Sequence, residues 1–214
     1  MSNSGFPVLT RYLEARYARD LVDDGKLRLG SLGVYQDMER QGTDAARGDS
    51  LEGHMEIAVD RYVRSEPARK HVHQTMAKLG LPGGTIEDCF FSTDVAPLTV
   101  LCMSEFTSFR LAKHFKCSAG VRIIKVNRFL ELITNQLGNE YEFCGIGRIT
   151  YVRSRALLLG DPDAALSGGE TKPERFFRER EVRACWRRRD GMGERHVDVT
   201  CPALSQYCIL LEFK

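Results

Sequence analysis

In the stretch Lys172-Pro-Glu-Arg-Phe-Phe-Arg-Glu-Arg-Glu-Val-Arg-Ala-Cys-Trp186, polar and apolar residues alternate from Glu179 onward. A period of two is the pattern of a half-buried strand. Val182, Ala184 and Trp186 are then expected to face the core, with Glu179, Glu181, Arg183 and Cys185 on the opposite face. That places the two carboxylates about 7 Å apart along one strand, with a guanidinium beside them. Paired carboxylates near a cation can divide their roles. One stays ionised and stabilises positive charge, while the other hydrogen-bonds a substrate group. The bland counterpart is a solvated strand face laced with ion pairs. Trp186 is the only tryptophan of the chain, and its place in the alternation predicts that it is buried.

Further strands lie on either side of this one. Phe6 to Leu13 reads as an opening strand, followed by a helix in which Leu13, Tyr17 and Leu21 recur every four residues and which Gly25 ends. Lys26 to Leu32 alternates, as does His54 to Val63. Glu66 to Leu79 has a helical pattern. Leu98 to Met103 is an unbroken apolar run, the mark of a buried central strand. Glu105 to Phe115 looks helical, with Phe106, Phe109 and Leu111 as its core side. Val121 to Val126 reads as strand, Arg128 to Leu137 as helix and Glu142 to Val152 as strand. His196 to Thr200 and Tyr207 to Phe213 are the closing strands. Gln41 to Gly53 and Asp161 to Pro173 read as loops. Short mixed elements, without strict alternation of strand and helix, predict one α+β domain over residues 1 to 214 with a central, mostly antiparallel sheet.

The 214 residues carry 31 basic and 29 acidic side chains, a formal net charge of +2, and 43% are hydrophobic. That balance belongs to an ordinary globular chain and excludes a disordered tail or a polybasic coat. Seven cysteines with no C-x-x-C pair indicate neither a disulfide framework nor a zinc ribbon. Met1 to Pro7 has no leader pattern and no apolar run reaches 18 residues, so a cytoplasmic protein without membrane contact is expected. No metal site is expected. His71 and His73 point apart on a helix, and Arg47, Asp49 and Glu52 make a structural turn more readily than a cation cage. His114 and His196 read as isolated histidines. Arg187-Arg188-Arg189 runs into a hairpin turn and offers a surface for an acidic protein or a nucleic acid.

The spacing Lys172, Phe176, Glu179, Glu181, Arg183 resembles the K-x-x-x-F-x-x-E-x-E-x-R signature of a large bacterial family defined by a domain of unknown function. The Arg11-Tyr12 pair, the Gly25 to Leu29 strand and the apolar strand ending in Cys102-Met103-Ser104 fit that family in order. Where its members carry an Asn-Asp-Pro turn, this chain has Arg47 to Gly53. The chain also resembles the ADP-ribosyltransferases, whose functional residues follow the order arginine, serine, E-x-E. Here these are Arg11, then Ser92-Thr93 or Ser104, then Glu179-Arg180-Glu181. This second resemblance implies an enzyme that takes NAD as a substrate, of a bacterial or phage defence or toxin type. It implies Glu181, Glu179 and Ser104 as catalytic residues, and Arg11, Tyr12 and Arg183 as residues that hold the cofactor. A non-catalytic module, a defence or inhibitor protein that binds an acidic partner or a nucleic acid through the basic late segment with Arg187 to Arg189, is the alternative.

Overall fold

The computed structural model describes residues 5–32, 54–59, 89–94, 98–152, 156–158 and 171–213. Its organising strand is β5 (Leu98–Ser104), the unbroken apolar run, which is hydrogen-bonded along both edges. One edge pairs throughout with β11 (Glu181–Arg188), from Glu181 opposite Ser104 to Arg187 opposite Leu98. Beyond β11 lies β7 (Tyr141–Arg148).

The other edge of β5 is shared by two strands. β2 (Lys26–Ser31) meets it at Gly30–Val100 and Ser31–Thr99, whereas β1 (Val8–Leu13) meets it at Thr10–Ser104. Outside β2 lies β12 (His196–Thr200), and outside β1 lie β6 (Ala119–Ile124) and β13 (Cys208–Glu212). Every pairing in this eight-stranded sheet is antiparallel. β1 and β2 therefore splay apart opposite Leu101 to Met103, and the sheet forks there. A smaller sheet joins β3 (His54–Val59) to β4 (Cys89–Asp94) and β9 (Ala156–Leu158), and a two-stranded parallel ladder joins β8 (Thr150–Val152) to β10 (Thr171–Pro173). The architecture is α+β, as the sequence predicts.

The core lies on the sheet face that carries Leu29, Leu101, Val121 and Trp186, packed with Leu21 of α1 (Ala15–Asp24) and Phe129 and Ile133 of α3 (Val126–Leu137). Trp186 is fully buried, in agreement with the alternation. Its Nε1 donates to Thr134 Oγ1 at 3.0 Å, and the Thr134 hydroxyl donates in turn to the Leu130 carbonyl at 2.9 Å. A buried indole thus keeps its one polar atom satisfied. The β11–β7 register shifts between Cys185 and Trp186, and the Phe143 ring stands 5.4 Å from the indole. On α1 the buried residues are Ala18 and Leu21, while Tyr17 is 40% exposed. The stripe follows the three-residue row of the helix instead of the expected Leu13, Tyr17, Leu21 row. Gly25 ends α1 at φ +67°, and a Cβ there would stand 2.0 Å from the Cys201 carbonyl oxygen. Both the left-handed backbone and the close approach of β12's far end require glycine.

Further expectations are corrected. The helix expected over Glu105 to Phe115 is only α2 (Phe109–His114), capped by Ser108, whose Oγ accepts from the Arg110 N–H. Phe106 and Phe109 are 53% and 54% exposed; of the expected core side only Leu111 is buried, together with Ala112. Val126 opens α3 after a left-handed turn at Lys125 and does not end a strand. The Gln41 to Gly53 loop, the Glu66 to Leu79 helix and residues 161–170 of the Asp161 to Pro173 loop lie outside the described residues, as do Arg47, Asp49, Glu52, His71 and His73, while the end of that expected loop is the strand β10. Among the described residues no helix is long and apolar enough to cross a membrane.

Candidate active site

A cavity of about 800 Å³ opens at the fork of the sheet. Arg11 and Tyr12 of β1, Arg28 of β2 and Ser104 of β5 form its walls, and Glu179 and Glu181 lie in its lining. Arg11 spans the gap, its Nη2 donating to the Arg28 carbonyl at 2.7 Å. Arg28 is held in turn by Asp198 of β12, through Nε to Oδ1 at 2.7 Å and Nη2 to Oδ2 at 3.0 Å.

The two glutamates reach the cavity by a route that strand alternation does not describe. Glu179 ends a 3-10 turn, Glu174–Glu179, and Arg180 follows in the left-handed region at φ +45° before β11 begins at Glu181. A left-handed residue redirects the chain, so the two carboxylates converge on a common partner, the Lys172 ammonium of β10. Lys172 Nζ lies 3.0 Å from Glu179 Oε2 and 2.7 Å from Glu181 Oε2. Arg183 closes on the other oxygen of Glu181, with Nε and Nη2 at 2.9 and 2.7 Å from Oε1. Lys172, Glu179, Glu181 and Arg183 are each no more than 5% exposed. This is a buried quartet of two cations and two carboxylates, not the solvated strand face that remained open. Charges at that depth persist because each has an opposite charge in contact.

The environment drives the two carboxyls apart. Burial alone would raise Glu181, but Arg183 and Lys172 outweigh it and hold the carboxyl down at about 2. Glu179 moves the other way. Its burial raises it above the usual carboxylate range, Lys172 opposes that rise and the Glu181 charge adds to it. One group is a fixed anion and the other sits closer to a neutral acid, the pattern by which two carboxyls take different parts in one reaction. The main chain of Glu181 is pinned as well. Its N–H donates to the Tyr151 hydroxyl at 2.7 Å, and its carbonyl accepts from the Ile149 N–H at 2.9 Å. Burial pushes Tyr151 up to about 12, so it remains a neutral phenol.

Thr10, Ser104 and Glu181 stand side by side in register across β1, β5 and β11. Ser104 Oγ donates to the Glu179 carbonyl at 2.7 Å and accepts from the Phe106 N–H at 3.1 Å. Both contacts are to main chain, so this hydroxyl positions the Glu179 turn. Tyr12 fastens the same loop, donating to the Phe106 carbonyl and accepting from the Ser108 N–H, each at 2.8 Å. The Tyr12 ring stands 5.5 Å from Phe115 and 5.7 Å from Phe213, and Tyr12 and Phe115 together give the cavity an aromatic wall.

All six residues expected at the site, Arg11, Tyr12, Ser104, Glu179, Glu181 and Arg183, therefore line one cavity. Of the two candidates for the middle motif, Ser104 is in that lining, whereas Ser92-Thr93 lies on β4 in the separate three-stranded sheet. Sequence reasoning names Lys172 in a motif without seeing that it bridges the carboxylates, and it misses Tyr151 altogether. No local pattern marks a tyrosine thirty residues before Glu181. His196 lies at the exposed rim. Arg188 of the basic stretch is engaged by Asp190 at 3.0 Å and by Glu194, while Arg187 and Arg189 are exposed. Compared with known proteins, the chain matches no family model, no curated protein and no solved structure.

Proposed function

We propose that the cavity binds NAD and that the protein is an ADP-ribosyltransferase-like enzyme, breaking the bond between ribose and nicotinamide. The observation that carries this reading is the meeting of Arg11, Ser104 and Glu181 in one cavity, with Glu181 ionised and buried between two cations. As nicotinamide leaves, positive charge develops on the sugar. A carboxylate already fixed in a water-poor site stabilises that charge without reorganising, which is the largest single contribution in many enzymes. Lys172 and Arg183 keep Glu181 ionised and aimed. Arg11, which lines the cavity, supplies a guanidinium charge that suits a diphosphate. The aromatic wall of Tyr12 and Phe115 suits a flat ring.

The volume is within the usual range of small-molecule sites, about 300–1,000 Å³. The K-x-x-x-F-x-x-E-x-E-x-R signature acquires a physical meaning on this reading, since its charged members are the buried quartet.

Calorimetric titration with ADP-ribose tests the binding half of the proposal. Wild-type protein is expected to bind it, and Arg11→Ala, which leaves the buried quartet intact, is expected to bind at least about tenfold more weakly, the loss of one charge-assisted contact. Equal affinity in the two proteins, or no binding of ADP-ribose or NAD at millimolar concentration, overturns it.

A further inference from the structure

Glu179 has a neighbour on the side away from Lys172. Its Oε1 lies 3.5 Å from Nε2 of His114, the last residue of α2. The two side chains differ sharply in exposure, 4% for Glu179 and 46% for His114. Glu179 lines the cavity and His114 does not. The carboxyl thus stands between the cavity and an imidazole open to solvent. Lys172 occupies Oε2, which leaves Oε1 directed at His114. The charged and titratable groups facing Glu179 are Lys172 from β10, Glu181 from β11, His114 from α2 and the Tyr151 phenol from β8. The His114 ring is steadied edge-on against Phe115 at 5.1 Å.

From this geometry we infer that Glu179 takes the proton of the group that attacks the sugar and that His114 passes it to solvent. The inference rests on the reading of the cavity as a site for NAD. As the attacking O–H oxygen bonds to the sugar carbon, the O–H bond breaks and its proton moves to Glu179. The C–N bond breaks with its electron pair going to the nicotinamide nitrogen, which becomes neutral. One proton per turnover must therefore leave the site. Its inner path is closed by a lysine already protonated and by a carboxylate held ionised, and Oε1 of Glu179 to Nε2 of His114 is the remaining outward contact among the described residues. A separation of 3.5 Å is longer than a formed hydrogen bond, but such catalytic contacts are often loose before substrate binds or are bridged by one water.

The link can be read without turnover. With ¹³C-carboxyl-labelled glutamate, the Glu179 signal, assigned by its loss in Glu179→Gln, is followed through a pH titration alongside the ring carbons of His114. The expected result is a step in the Glu179 signal at the midpoint of the His114 titration, absent in His114→Ala. A Glu179 signal without that step, or with the step preserved in His114→Ala, overturns the relay. In the kinetic arm, His114→Ala is expected to release nicotinamide at least about tenfold more slowly with unchanged KM, and added imidazole is expected to restore much of the rate. A rate equal to wild type in His114→Ala overturns the relay while leaving the NAD reading intact. Wild-type protein that releases no nicotinamide refutes the NAD reading and with it the catalytic use of the relay, whatever the labelled titration shows of the contact.

Discussion

Lys172 Nζ stands 2.7 Å from Glu181 Oε2, with both side chains almost wholly excluded from solvent. The contact joins β10, a three-residue strand of the two-stranded ladder, to the first residue of β11. Lys172→Met removes the cation shared by Glu179 and Glu181 and leaves two carboxylates facing each other. Breaking a buried ion pair from one side typically costs about 3–5 kcal/mol, because the remaining charge is left uncompensated. Urea unfolding is expected to show a loss of that size, and a Lys172→Met protein as stable as wild type would contradict the buried quartet.

The same residues set the acid limb of stability. Glu181 falls from an ordinary value of 4.5 to about 2 in the folded protein. A carboxyl depressed by folding contributes stability above its unfolded value, and that contribution is lost as pH falls through the folded value, here between about 4.5 and 2. It amounts to roughly 3 kcal/mol. Glu179 is raised, so it acts in the opposite sense and favours the folded state as the pH falls from neutrality towards its ordinary range. Stability is therefore expected to hold or rise slightly on mild acidification and to drop below about pH 4.5. Glu181→Gln is expected to flatten that drop. A wild-type curve already falling steeply between pH 7 and 5 would contradict this assignment.

Trp186→Ala removes the largest fully buried side chain and leaves the Thr134 hydroxyl without its donor. Truncating a packed tryptophan costs about 3–5 kcal/mol, out of a total of roughly 5–15 for a domain. Trp186→Phe, which fills most of the volume, is expected to cost less. Denaturant midpoints of the two variants check the order.

Gly25→Ala meets two obstacles at once, a left-handed backbone and a carbonyl oxygen 2.0 Å from the new Cβ. The junction of α1, β2 and the segment after β12 must then shift. The variant is expected to melt well below wild type in a thermal scan, and unchanged melting would mean that Cys201 is not held there.

The strands β5 and β11 are legible in the sequence because each satisfies a simple rule, a continuous apolar run in one and a strict alternation in the other. Trp186 takes its place by the same rule. Glu179 shows where the rule fails. It continues the alternation of letters, yet it ends a 3-10 turn and is set in place by a left-handed Arg180, a residue that carries none of the glycine, asparagine or aspartate signals of such a turn. The expected pairing of Glu179 with Glu181 survives in space because Lys172 gathers both. Phe106 and Phe109 look like a helical core stripe, but Tyr12 and Ser104 draw the preceding loop onto the sheet and the rings face outward. The contact between His114 and Glu179 joins residues far apart in sequence, and no local spacing encodes it.

Release of nicotinamide from NAD, followed by chromatography with wild type and folded Glu181→Gln in parallel, bears most directly on the proposed chemistry. Circular dichroism at the assay temperature establishes that the variant is folded, since the substitution leaves Lys172 and Arg183 with one carboxylate between them. Wild-type protein is expected to release nicotinamide, and the variant to do so about 10²–10³-fold more slowly, the loss typical of one electrostatic stabiliser of a transition state. No release by the wild type, or equal release by a folded Glu181→Gln, would contradict the assignment of Glu181 as the carboxylate that stabilises the sugar cation.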